Sequence, residues 1–230
     1  MKKKCIHEIK DECCSNTTFI ILCARKSNNR GFKNIPLTSI NSTERLIDYQ
    51  IKTITSVHKQ SDIILISGFE HDKLIDYIYT KKYDNIRILE NQNYKNSDIV
   101  DAWKIGLNLA IKSNVYIIHG DRIFSKECIN DKSKKTHLIT HAIDYSNYNL
   151  GLVYNENDIL LNISYGLPNV WSEIFYISKE DFTIARKLIN TNKSNRIYTV
   201  DAFINLLSEH IEISIVKKDT KHIKALKDIQ

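Results

Sequence analysis

Residues 18–37 read TFIILCARKSNNRGFKNIPL. The run 19–23 is apolar at every position, and it leads at once into a loop carrying four cations, Arg25, Lys26, Arg30 and Lys33. A short, continuously apolar run has the pattern of a strand buried on both faces, as in a parallel sheet. Ligands of open α/β sheets bind beyond the carboxyl ends of the strands, so the basic loop stands where a polyphosphate would be held. Residues 115–121, VYIIHGD, repeat the form with opposite charge: an apolar run ending in Gly120 and the carboxylate of Asp121.

Working outward from these two runs, strand and helix patterns alternate. Strands are expected at 19–23, 62–67, 86–89 and 115–119. A helix is expected from Ser42 or Thr43, either of which can cap it, to about residue 57, with Leu46, Ile47, Ile51 and Ile54 inward. Further helices are expected at 70–79 and 98–112, the second with Val100, Trp103, Leu107 and Ile111 at helical spacing. Beyond residue 126 the pattern changes to a hairpin, 151–154 with 159–164, a strand at 171–177, helices at 179–189 and 199–208, and a last strand at 211–216. Alternating strands and helices predict an α/β fold: a Rossmann-like three-layer sandwich around a mainly parallel mixed sheet. The expected organisation is an N-terminal extension, 1–17, and one domain, 18–230. That domain has a nucleotide-binding half (about 18–125) and an acceptor-binding half (about 126–230).

Composition narrows the function classes. The 230 residues suffice for one α/β domain with a real core. A net charge of +6, spread along the chain, favours small anionic ligands slightly and does not demand nucleic acid. No run reaches the roughly 18 apolar residues of a membrane span, and the start, MKKKCIHEIKDECC, lacks the apolar segment of a secretory signal. Five cysteines, Cys5, Cys13, Cys14, Cys23 and Cys128, contain no CxxC pair, so they read as reduced and the protein as cytoplasmic.

Clustered cations can neutralise β- and γ-phosphates and the charge moving onto departing pyrophosphate. Asp121 at a strand end is a natural ligand for Mg²⁺ that bridges phosphate oxygens, or else a helix N-cap for the segment after Ile123. Cations at one strand end and a metal-binding Asp at another suit nucleotidyl transfer. His137 and His141 have the spacing to share a helix face, but with no third ligand they do not predict zinc.

The order of residues adds a resemblance. Ala24-Arg25-Lys26-Ser27, then Arg30, then Lys33-Asn34-Ile35 resembles the opening of the nucleotidyltransferases that activate sugars. The match is nearest to the cytidylyltransferases of acidic sugars, whose loops read roughly ARGGSKG…KN. Leu46-Ile47-Asp48-Tyr49-Gln50-Ile51 is similar to the helix that follows in sugar-1-phosphate and choline-phosphate nucleotidyltransferases. Residues 91–103 resemble the family segment NPxYxxTNxxxSL, near base and sugar. Asn91 and Tyr94 match, while Ser97 stands for Thr, Asp98 for Asn and Ala102 for Ser. The same segment also reads as a polar loop capping the next helix through Ser97 or Asp98. GDRIF resembles GDxxF, and residues 171–178 resemble the strand GIFxFS beside the acceptor. The family loop is glycine-rich, which lets backbone approach phosphate; here Gly31 is its only glycine. The family's C-terminal segment, IDTPEDL, meets VKKDTKHIKALKDI in two registers. One uses Asp219-Thr220, and the other sets Lys224 in the place of a metal-binding Asp and runs on through Asp228.

The resemblance implies a GT-A-type fold and a Mg²⁺-dependent enzyme. It would move CMP or UMP from CTP or UTP onto a phosphorylated sugar, acidic sugar or phospho-alcohol and release pyrophosphate. It assigns catalysis to Arg30, Lys33 and Asp121. It assigns nucleotide binding to Ala24, Arg25, Lys26, Ser27, Asn91, Tyr94, Ser97, Asp98 and Gly120. Metal falls to Asp121 and Asp219, and Glu173 is either an acceptor contact or an edge-strand charge. The implied partners are the triphosphate and a small acceptor, without nucleic acid or membrane, and a homodimer is compatible with them. Two alternatives are a catalytically impaired nucleotide-binding relative and a glycosyltransferase of related fold. The second usually carries Asp-x-Asp, where this chain has Asp121-Arg122-Ile123.

Overall fold

The computed structural model describes residues 16–25, 34–83, 85–130, 134–141, 149–191, 199–219 and 221–225. In the first half, β1 (Thr17–Leu22), β2 (Asp62–Ser67), β3 (Ile86–Glu90) and β4 (Asn114–His119) alternate with α1 (Leu46–Val57), α2 (His71–Lys81) and α3 (Ile99–Leu109). After β5 (Arg122–Phe124) come β6 (His137–His141), the hairpin β7 (Leu150–Tyr154) and β8 (Leu160–Tyr165), and β9 (Trp171–Ile177). Helices α4 (Lys179–Thr191) and α5 (Val200–Ser208) follow, then β10 (Ser214–Lys218) and β11 (Ile223–Ala225).

Seven strands form one sheet in the order β10-β6-β9-β4-β1-β2-β3. All pairings are parallel except those of β9, which runs antiparallel to β4 and β6. Strands of both halves therefore share one sheet, with β4 and β9 at the junction. β5 pairs with β11, and β7 with β8, outside it.

Successive side chains of a strand point to opposite faces, and here both faces are covered. Ile20, Leu22, Ile64, Ile66, Val115 and Ile117 pack with Trp103 and Leu107 of α3, Ala185 and Ile189 of α4, and Phe203 and Leu207 of α5. Phe19, Ile21, Ile63, Leu65 and Ile118 pack with Ile47, Ile51 and Ile54 of α1 and Leu74 and Ile78 of α2. These are the three layers expected from the alternation of elements.

The differences from expectation have local causes. α1 begins at Leu46 rather than at residue 42 or 43. The Asn41 side chain accepts from the amides of Thr43 and Glu44, closing a turn there, and Arg45 is the N-cap, its amide donating to the Asp48 carboxylate in the first turn of the helix. α3 stops at Leu109, so Ile111 lies beyond the helix, 68% exposed, rather than on its apolar face. Residues 137–141 are the buried inner strand β6, so His137 and His141 are not on a helix. The segment after Asp121 is a strand, not a helix for Asp121 to cap. The last long strand is 214–218 rather than 211–216, and β11 follows it.

Candidate active site

The carboxyl ends of β1, β3 and β4 open on one cleft of about 380 Å³. Its walls include Ala24, Arg25, Asn91, Tyr94, Ser97, Asp98, Gly120, Asp121 and Glu173, expected from sequence, together with His119, Asn149, Tyr165, Trp171, Thr199 and Asp201. Lys26, Ser27, Arg30, Lys33 and Asp228 lie outside the described residues.

Close backbone approach shapes the side of the cleft formed by β1 and β4. The Gly120 amide donates to the Leu22 carbonyl at 3.0 Å, drawing the turn after β4 against the end of β1. Gln50, wholly buried on α1, donates through Nε2 to the Arg122 carbonyl at 2.8 Å and the His119 carbonyl at 3.4 Å. The turn that carries Asp121 is thus held from below by a side chain and from the side by a strand.

Asn91 continues β3 by donating its amide to the Ser67 carbonyl. Its side chain donates to Ser97 Oγ at 2.9 Å and accepts from the Asn93 amide at 3.2 Å, so it organises the 91–97 turn. Asp98 accepts from the Ile99 amide and, with Asp101, forms the capping box of α3. Asp98, not Ser97, is the cap, and it caps the helix while facing the cleft.

The opposite wall is built by β9. Between Trp171 and Phe175 it spans four residue steps against two on β6, from Leu138 to Thr140. Glu173 sits in this bulge with φ 58°, the left-handed region that a glutamate enters at a cost. β9 lies inside the sheet, so Glu173 is not an edge-strand charge. Its Oε2 accepts from Arg122 Nε at 2.9 Å and from Arg122 Nη2, and lies 2.7 Å from His119 Nδ1. Burial alone would raise the pKa of this carboxyl; His119 and Arg122 more than offset it and hold it well below the usual carboxylate range. In the same wall, Trp171 packs edge-on against His119 and against Trp103.

His119, Asp121 and Glu173 place one ligand atom each within 4.8 Å of one another and could hold a metal ion. The half-exposed carboxylate of Asp121 suits a hard divalent cation. Glu173 is already engaged by a guanidinium. Asp219 is not brought to this group: it is exposed and paired with Lys221 at 3.1 Å. The C-terminal segment returns instead through β11, with Lys224 opposite Ile123 and Ala225 opposite Arg122.

Sequence reading passed over three residues here. His119, taken with His137 and His141, makes no convincing metal set in the sequence. Arg122 was a spacer inside GDRIF. Gln50 carried a signal, a polar residue beside the apolar face of α1.

No protein-family model matches the chain, and no curated protein matches it by sequence. Solved structures do match it over most of its length. The CTP:phosphocholine cytidylyltransferase of Streptococcus pneumoniae superposes with a TM-score of 0.75 at 17% identity, covering 91% of this chain and 93% of that one. A nucleoside-diphosphate-sugar pyrophosphorylase from Vibrio cholerae gives 0.71 at 10% identity, covering 91% and 98%. The inositol-1-phosphate CTP transferase of T. maritima gives 0.64 at 10% identity, covering 90% and 86%. The fold of this chain, a mainly parallel seven-stranded sheet between helical layers, is the fold of these nucleotidyltransferases.

Proposed function

We propose that the protein is a divalent-metal-dependent nucleotidyltransferase that moves a nucleoside monophosphate from a triphosphate onto a phosphorylated sugar, acidic sugar or phospho-alcohol. The observation that carries this reading is the convergence of four separate segments on one cleft. These are Ala24-Arg25 after β1, 91–98 after β3, Gly120-Asp121 after β4, and Glu173 of β9. In a fold shared with nucleotidyltransferases, such convergence supports nucleotide on one side and acceptor on the other. CTP is favoured over UTP by the AR…KN opening and by the names of two fold-matched proteins, both of which carry CTP.

The acceptor oxygen attacks the α-phosphorus, the bond from that phosphorus to the β-phosphate oxygen breaks, and pyrophosphate leaves. Arg25 and the cations Lys26, Arg30 and Lys33, with Ser27, neutralise the triphosphate. Tyr94 and the turn built by Asn91, Ser97 and Asp98 orient the nucleoside, and Glu173 faces the acceptor. Asp121 holds the divalent ion, Mg²⁺ in this reading, which when bound supplies further charge neutralisation at the phosphates. Positioning and charge compensation suffice, without a covalent intermediate. A cytoplasmic setting, where triphosphates are abundant, fits this activity.

The test is pyrophosphate release from each of the four triphosphates with Mg²⁺ and a panel of sugar phosphates, acidic sugars and phosphocholine. Acceptor-dependent release from CTP is expected, falling about a hundredfold or more in Asp121→Ala and Arg25→Ala. Absence of release with every pair, combined with nucleotide binding that survives Asp121→Ala, would replace this reading with a non-catalytic nucleotide-binding one.

A further inference from the structure

His119, Asp121 and Glu173 offer an imidazole and two carboxylates at ligating distance. By donor chemistry that set suits Mn²⁺ or Zn²⁺ better than Mg²⁺, because imidazole is a borderline-soft ligand. Yet a cation is already built into the chain at this place. Arg122 Nε is 3.2 Å from Asp121 Oδ1 and 2.9 Å from Glu173 Oε2, and Nη2 donates to the same Glu173 oxygen. A guanidinium stays charged at every working pH, so an ion centred on all three donors would face a fixed positive charge and would have to take Glu173 from it.

Arg122 is not easily displaced. Its side chain is 13% exposed, its carbonyl accepts from Gln50, and its strand is paired to β11 through Ala225. Glu173 in turn is aimed at it by the bulge of β9. Asp121 differs, because its carboxylate is half-exposed and touches Arg122 through one oxygen.

We propose that Arg122 is a resident counter-cation that keeps the His119–Asp121–Glu173 set closed to metal, leaving a divalent ion only the outward oxygen of Asp121. The proposal rests on the reading of Asp121 as the metal-binding carboxylate. Arg122 is a positioning residue: it withdraws Glu173 from coordination and so keeps an imidazole-containing, transition-metal-selective site from forming in the cleft.

The experiment is a titration of the full chain with Mn²⁺ in the absence of nucleotide, with free ion read by electron paramagnetic resonance and folding by near-ultraviolet circular dichroism. The unaltered protein is expected to bind Mn²⁺ weakly. Arg122→Gln should bind one ion about tenfold more tightly or better, and Arg122→Lys, which keeps the charge, should stay near the unaltered protein. The gain should vanish in Arg122→Gln combined with Glu173→Gln. Glu173→Gln alone keeps the idea testable if Arg122→Gln fails to fold, since it should leave Mn²⁺ binding unchanged. Equal affinity in the unaltered protein and Arg122→Gln, or a loss of binding in Glu173→Gln alone, would overturn the proposal. Turnover is not read, so failure of the transferase reading would show in pyrophosphate release and leave this result standing.

Discussion

A Cβ on Gly120 would stand 2.4 Å from the carbonyl oxygen of Leu22. That approach is closer than any real side chain tolerates, and the obstacle is backbone. Gly120→Ala must therefore push the Asp121 turn away from β1. The expected cost is about 1–3 kcal/mol of stability. A displacement near 1 Å at the site costs about a hundredfold in rate. Thermal unfolding and pyrophosphate release on the same sample would check both, and unchanged release would refute the tight coupling of the two strands.

Gly68 has a different neighbour. A Cβ there would meet Tyr94 Cβ and Cγ at 2.7 Å and Ala24 Cβ at 3.0 Å. Gly68→Ala should move Tyr94, so the KM for the triphosphate should rise while that for the acceptor stays. Steady-state kinetics with each substrate varied in turn would separate the two effects.

Gln50 ties α1 to the two carbonyls that flank the Asp121 turn. Gln50→Leu removes both of these hydrogen bonds at a wholly buried position, which costs about 1–3 kcal/mol. Denaturant titration should show a lower midpoint with an unchanged slope.

Asp48 carries the clearest pH dependence. It is buried, and it accepts from the hydroxyls of Tyr77 at 2.5 Å and Tyr83 at 2.6 Å and from the Arg45 amide. Burial pulls its pKa up, but these donors, with Lys81 nearby, bring the net value below the ordinary 3.8. A depressed carboxylate stabilises the fold above its unfolded pKa, and that contribution is lost as pH falls through the folded value. Stability should therefore hold at neutral pH and fall below about pH 4, and Asp48→Asn should flatten that fall. Tyr77 works in the opposite direction. Burial and then Asp48 push its pKa from 10.0 up to about 12, so its contribution is full below pH 10 and lost as pH rises toward 12. Denaturant midpoints across both ranges would test the pair.

Much of this was legible because strands buried on both faces write themselves as apolar runs: 62–67 and 171–177 match β2 and β9 to the residue. β6 was not legible. Its five buried residues, HLITH, include two histidines and a threonine, and polar atoms there are reconciled by contacts such as His141 Nδ1 to Ser172 Oγ and Thr140 Oγ1 to the Val170 carbonyl. β5 and β11, three residues each, are too short for any period to show. In the site, Asp121 and 91–98 were readable because they follow strand ends in sequence. The roles of Arg122 and Gln50 depend on groups 51 and 72 positions away and have no local signature.

The reversal of β9 has a consequence for how the cleft can change. A strand parallel to β4 in that position would begin at the far edge of the sheet, and its opening residues would emerge on the side away from Asp121. Because β9 runs backward, its beginning rather than its end borders the cleft, so Trp171 and Glu173 stand beside residues that follow the ends of β1 and β4. The hairpin before it and the helix start at Thr199 reach the same place from the second half of the chain. Substitutions in 149–171 or at 199–201 can therefore reshape that wall, while the turns after β1 and β4 stay fixed by the parallel strands of the first half.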